Sequence, residues 1–193
     1  MQYQAKQIAC SRNGRLIFHS LSFLLASGTM LSVRGENGAG KTSLLHILAN
    51  LIQPYDGRVY NFVPQNTHFI PLQEAARSPL SLDKQLCFWG KVLGNGKPPS
   101  KKIYERLGLV PLLSERVCHL SAGEQKRLQL ARLLHIPRMI WLLDEPCASL
   151  DEAGQSVLKT MLGEHCEKGG IAIMTTHAHA IGFGEEIILK GGS

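Results

Sequence analysis

The sequence predicts an α/β fold with a mainly parallel sheet, an N-terminal antiparallel β edge and an inserted helical subdomain. Three features predict it. Gly35-Glu36-Asn37-Gly38-Ala39-Gly40-Lys41-Thr42 satisfies G-x-x-x-x-G-K-[ST] between the apolar run Thr29-Met-Leu-Ser-Val33 and the helically spaced Ser43-Leu-Leu-His-Ile-Leu-Ala49. The runs Arg138-Met-Ile-Trp-Leu-Leu143 and Gly170-Ile-Ala-Ile-Met-Thr-Thr176 are continuously apolar and separated by a helical stretch from Ala153 to Cys166, the pattern of parallel strands covered on both faces. Residues 73–135 lack strand alternation and read as mainly helical, broken by the glycine- and proline-rich loop Gly94 to Ser100.

The remaining elements follow in chain order. Tyr3 to Ile8 and Arg15 to Leu25 carry alternating Phe, Leu and Ile and read as short antiparallel strands. The helix after the glycine loop ends near Asn50, Pro54-Tyr-Asp-Gly57 is a turn, and Arg58-Val-Tyr-Asn-Phe62 a strand. The chain therefore reads as a single domain over 1–193, with a core at 1–72 and 136–193 and a helical subdomain at 73–135.

Composition excludes several classes. At 193 residues and 44% hydrophobic, the chain can bury a core without disulfides. Its five cysteines are scattered and form no C-x-x-C pair, which argues against a disulfide framework or zinc site. No apolar run has the length of a membrane span, and MQYQAKQIACSRNGR is not a signal peptide. The formal charge of +6 suits an anionic ligand, but the charge is dispersed and Lys101-Lys102 is a short solvated cluster.

Three motifs carry chemistry. In the glycine loop, small residues let backbone N–H groups close around an anion, and the following helix adds its positive end. Residues Gly35 to Thr42, with Ser43, are the candidate phosphate cradle; Lys41 would reach the β- and γ-phosphates and the Thr42 hydroxyl would hold Mg²⁺. A glycine-rich turn that binds nothing would not need the strand and helix on either side. In Leu142-Leu143-Asp144-Glu145-Pro146, carboxylates stand at the C-terminal end of a parallel strand, where α/β sheets place ligands. Asp144 is the partner for Mg²⁺ beside Thr42, and Glu145 a general base for an attacking water. In Leu120-Ser121-Ala122-Gly123-Glu124, Ser121 and Glu124 form a capping box ahead of a helix with Leu128, Ala131 and Leu134 on one stripe. A well-capped helix explains that much. Ser121 with the N–H groups of Ala122 and Gly123 also makes a second anion site at a helix N-terminus.

Together these motifs resemble ATP-binding cassette (ABC) ATPases over nearly the whole chain. GENGAGKT resembles the Walker A motif, LSAGE the signature, WLLDEP Walker B, Ala148-Ser-Leu-Asp151 the D-loop, and His177 after Met174-Thr-Thr176 the switch histidine. The resemblance implies ATP and Mg²⁺ as cofactors and a second copy of the chain paired head to tail. Ser121 and Gly123 would contact the γ-phosphate on the other copy, Asp151 would couple the two sites, and His177 would orient the phosphate or the water. His179 lies beside His177, but no third ligand completes a metal site. The family also has a glutamine that touches Mg²⁺. Gln65 and Gln73 are both candidates; the room that intervening strands need after Lys41 favours Gln73. Arg12 stands where many cassettes place an adenine-stacking aromatic, and a guanidinium plane can take that role; Phe18 reads as core.

Within the family, LSAGEQKRLQLARL, Glu167 to His177 and the Arg12 position resemble the ATPases of cytochrome c maturation haem exporters. That implies a membrane permease subunit as partner, a peripheral place at the cytoplasmic face of the inner membrane, and no direct contact with nucleic acid. An ABC exporter of another substrate, or a non-transport ABC switch acting on nucleic acid or ribosomes, is the alternative; the short insertion without coiled coil or zinc module favours transport.

Overall fold

The computed structural model describes residues 2–72, 78–94, 96–176 and 184–190. The chain divides into two compact units. The first comprises Met1–Leu72, Arg138–Pro146 and Leu162–Ser193; the second comprises Gln73–Pro137 and Cys147–Met161.

In the first unit, β1 (Gln2–Arg12) and β2 (Arg15–Ala26) form an antiparallel hairpin in which β2 matches its expected span to within one residue and β1 runs longer than the sequence periodicity indicates. The excess is absorbed by irregularities in the pairing, where Gln7 and Ser20 adopt positive φ and break the two-residue alternation. β3 (Met30–Arg34) leads through the glycine loop into α1 (Lys41–Leu48), and β4 (Asp56–Tyr60) then pairs with β1. This strand starts two residues ahead of its expected position, inside the expected turn, because Gly57 at φ 81° keeps the extended chain turning beside Gln7.

The second sheet is parallel throughout. β5 (Thr67–Ile70), β6 (Ile140–Leu143), β7 (Ile171–Thr175) and β8 (Glu185–Ile188) join β3 in the order β5-β6-β7-β3-β8. β6 and β7 are buried at every position, as their unbroken apolar character requires. β8 was not anticipated. It lies at the sheet edge and is largely exposed, so Glu-Glu-Ile-Ile needs no hydrophobic run to hold its place. Side chains from both sheets meet around α1. Leu44, Leu45, Ile47 and Leu48 share one cluster with Ile8, Phe18 and Leu25 of the hairpin and with Leu31, Val33, Leu142 and Ile173 of the parallel sheet. A helix enclosed on opposite sides gives the loop before it a rigid seat.

Behind this core, the His165 ring stacks on Trp141 with centroids 3.8 Å apart and planes 10° apart, its Nε2 3.1 Å from the Ile171 carbonyl. Burial pulls this imidazole below its usual pKa, only partly opposed by the carbonyls of Ile171 and Met139. Burial lowers His135 and His46 as well. A depressed histidine makes the unfolded chain the better proton acceptor between the two pKa values, so stability rises with pH there. Their contribution should be fully present above pH 6.5 and be lost as pH falls from 6.5 through the folded values. Thermal melts are expected to be flat from pH 8 to about 7 and to shift downward on further acidification. A melting temperature unchanged down to pH 5 would remove these histidines from the stability balance.

The second unit contains α2 (Leu82–Leu93), α3 (Lys101–Arg106) and α4 (Ala122–His135), with the first part of α5 (Glu152–Glu167). Leu82, Leu86, Leu109, Leu128 and Leu130 are fully buried. Tyr104 donates to Asp83 at 2.6 Å, and Arg132 lies over the Trp89 ring at 5.0 Å. Burial on α4 is wider than the Leu128–Ala131–Leu134 stripe: Leu130 and Leu133 are buried, while Leu134 is half-buried.

Candidate functional site: a phosphate loop and paired carboxylates

Topology assembles the site. β6, β7 and β3 are neighbouring parallel strands, so their C-terminal ends lie side by side. β3 runs into the glycine loop and β6 into Asp144-Glu145, while β7 ends at Thr175. Leu143 pairs with Met174, and Val33 with Thr175, which brings residues 144 and 175 alongside each other.

The loop turns into α1 at Gly40, which has φ 97° and carries no side-chain cap. A Cβ there would stand 2.6 Å from Ile17 Cγ2 and 2.8 Å from Phe18 Cδ1, so both conformation and space demand glycine. The first-turn N–H groups of a helix have no partner within it, and with its positive end they form a seat for an anion. Lys41 is almost wholly buried and donates to the carbonyls of Gly35 at 2.7 Å and Glu36 at 3.2 Å, holding its ammonium over the loop. Residues 35–39 also wall a cleft of about 900 Å³ whose other linings include Arg15, Arg34 and Lys190. Arg34 is paired with Glu186 at 3.0 Å, while Arg15 and Lys190 favour an anionic ligand.

Asp144 is buried and accepts two hydroxyl hydrogen bonds, from Thr42 Oγ1 to Oδ2 at 2.8 Å and from Thr175 Oγ1 to Oδ1 at 2.6 Å. Its backbone N–H bonds Ile70 O at 2.8 Å. The hydroxyl of Thr42 and the carboxylate of Asp144 are hard oxygen donors and fit Mg²⁺. Among the described residues no group of three His, Cys, Asp or Glu could hold a metal by itself. Mg²⁺ is usually held by one or two protein oxygens with waters or phosphates completing its shell, and these two donors suit that. Glu145 is half-buried and adopts φ 46°. Left-handed backbone at a non-glycine residue costs about 1–3 kcal/mol and clusters at functional sites. Its N–H is anchored on Thr175 Oγ1 at 2.9 Å. Sequence reasoning missed Thr175, because a threonine inside an apolar run reads only as a strand former.

Arg12 closes β1 opposite Arg15 and is exposed. After burial, its charge is the largest influence lowering His46 of α1. Phe18 is core, as expected. Gln65 sits in the turn Pro64–Asn66 before β5, at the strand end opposite Asp144. Four strand residues separate it from the ligand end, roughly 13 Å at 3.3 Å per residue, so it cannot join Thr42 and Asp144. Gln73, His177 and His179 lie outside the described residues.

In the second unit, the capping box forms as expected. The Ser121 N–H and hydroxyl both donate to Glu124 Oε2 at 2.7 Å, and the hydroxyl oxygen accepts from Glu124 N at 3.4 Å. The hydrogen bonds from Ser121 hold the Glu124 carboxyl below its usual pKa. The Glu124 carboxylate thus takes up the N–H and hydroxyl of Ser121 at this helix end. A Cβ on Gly123 would stand 2.8 Å from Ser149 O, so the signature backbone packs directly on the segment before Asp151. Asp151 Oδ1 accepts from Gly154 N at 2.9 Å and caps the start of α5.

Fold and site define a phosphate-loop nucleotide-binding protein with paired carboxylates at the ligand end of a parallel sheet. Residues 18–148 match the ABC transporter family model. The chain is 36% identical to the cytochrome c biogenesis ATP-binding export protein CcmA of Bradyrhizobium diazoefficiens over 199 residues, covering 100% of this chain and 99% of that one. It is 37% identical to the CcmA of Yersinia pestis bv. Antiqua over 188 residues, covering 90% and 85%. Among solved structures, an ATP-binding subunit of an ABC transporter superposes with TM-score 0.85 at 21% identity, covering 98% and 86%. The ADP conformation of an ABC transporter's ATP-binding cassette gives 0.74 at 20% identity, covering 94% and 83%; these two likenesses speak to the fold. The chain belongs to the ABC transporter family as an ATP-binding subunit, and it is an ATPase. Among the described residues, no helix is long and apolar enough to cross a membrane.

Proposed function

We propose that this chain drives a haem exporter of cytochrome c maturation, working with a membrane permease at the cytoplasmic face of the inner membrane. The observation that carries this reading is the 36% identity to a CcmA protein over 100% of this chain and 99% of that one. ATP would lie on the loop from Gly35 to Ser43, with Lys41 against its β- and γ-phosphates. Thr42, Asp144 and Gln73 would hold Mg²⁺, which supplies positive charge to the phosphate oxygens when bound. Glu145 would accept the proton of the attacking water and His177 orient the γ-phosphate. A second copy would complete the pocket with Ser121 and Gly123, and Asp151 would link the two sites. The γ-phosphate then favours a closed pair, and its loss removes that preference, since a ligand shifts an equilibrium only by its differential affinity. The domain organisation that suits this cycle is one ATP-binding domain over 1–193, with 73–135 as the part that faces the permease.

The test is purification of the tagged chain from detergent-solubilised membranes. An integral membrane protein that copurifies and raises the ATPase rate is the expected result. Salt-sensitive recovery with nucleic acid or ribosomes, and no membrane protein, would overturn it.

A further inference from the structure

We propose that Thr175 is a positioning residue for hydrolysis: its one hydroxyl sets the orientation of Asp144 and the backbone of Glu145 together. The side chain is fully buried, and its strand register leaves it beside the end of β6. A hydroxyl has one proton to give. Here it goes to Asp144 Oδ1 at 2.6 Å, while the oxygen accepts the Glu145 N–H at 2.9 Å. The first bond turns the Asp144 carboxylate so that its other oxygen faces Thr42 at 2.8 Å. The second holds Glu145 at φ 46°, a conformation that glutamate leaves unless its surroundings impose it. The carboxylate assigned to cation binding and the backbone that carries the proposed base are therefore tied to one atom of the neighbouring strand. Valine would fill the same space on this β-branched site and supply neither bond.

The inference rests on the assignment of Glu145 as base, and the test separates the two. Thr175→Val should leave ATP affinity nearly unchanged. It should lower kcat by about 10–10²-fold, the size expected for losing a hydrogen bond to a charged group at the reacting centre, and raise the Mg²⁺ concentration needed for half-maximal activity. Thr175→Ser keeps the hydroxyl and should recover most of the rate. Wild-type kcat in Thr175→Val, or a Ser variant as slow as the Val variant at equal thermal stability, overturns the proposal. If Glu145→Gln is inactive while Thr175→Val is normal, only the role of Thr175 falls. If Glu145→Gln itself turns over normally, the underlying assignment falls instead.

Discussion

Glu145→Gln is expected to hydrolyse ATP about 10²–10⁴-fold more slowly than the native chain while still binding it, the range general-base catalysis contributes. In barrier height this is about 3–5.5 kcal/mol. The substitution conserves shape and the backbone N–H bond to Thr175, so the left-handed turn after β6 is retained. What disappears is the carboxylate charge that would take a proton from water. Single-turnover hydrolysis with calorimetric ATP titration separates the two effects. If the γ-phosphate bridges two copies as proposed, gel filtration with ATP should also show a paired species in this variant. Near-normal hydrolysis would remove Glu145 from the chemistry.

Lys41→Ala should abolish useful nucleotide binding, by about 10–10²-fold or more in affinity. A hydrogen bond to a charged group is worth roughly 1.5–3 kcal/mol, and an ammonium facing two phosphates makes more than one. The buried amine is already held over the loop by the Gly35 and Glu36 carbonyls. A nucleotide therefore meets a cation already positioned, with little side-chain entropy left to lose. Alanine removes the cation and leaves those two carbonyls facing the ligand. Unchanged ATP affinity by calorimetry would count against the phosphate-loop assignment. Retained affinity with lost turnover would instead confine Lys41 to the reaction step.

Legibility followed the range of the interactions concerned. The glycine loop, the capping box at Ser121 and the apolar strand ending in Asp144 each depend on residues within about one helical turn, and each is visible as a spacing. β8 was not legible, because an edge strand with one partner keeps neither alternation nor an apolar run. The extra length of β1 was hidden by irregular pairing, which shifts the side-chain period. The choice between Gln65 and Gln73 stayed open in sequence. β5 narrows it, since Gln65 precedes that strand and Asp144 follows the strand beside it.

Residue order alone singled out the groups assigned to phosphate. A glycine must stand where the backbone turns left-handed, a lysine must follow it, and carboxylates must end a buried strand. Those are local demands, and a chain states them in its own succession of side chains. Only the tertiary structure decided that β6, β7 and β3 lie adjacent, and hence that Thr175, 133 residues from Thr42, shares Asp144 with it. Strand order and register arise from burying two faces of a sheet at once, so no single stretch of sequence contains them.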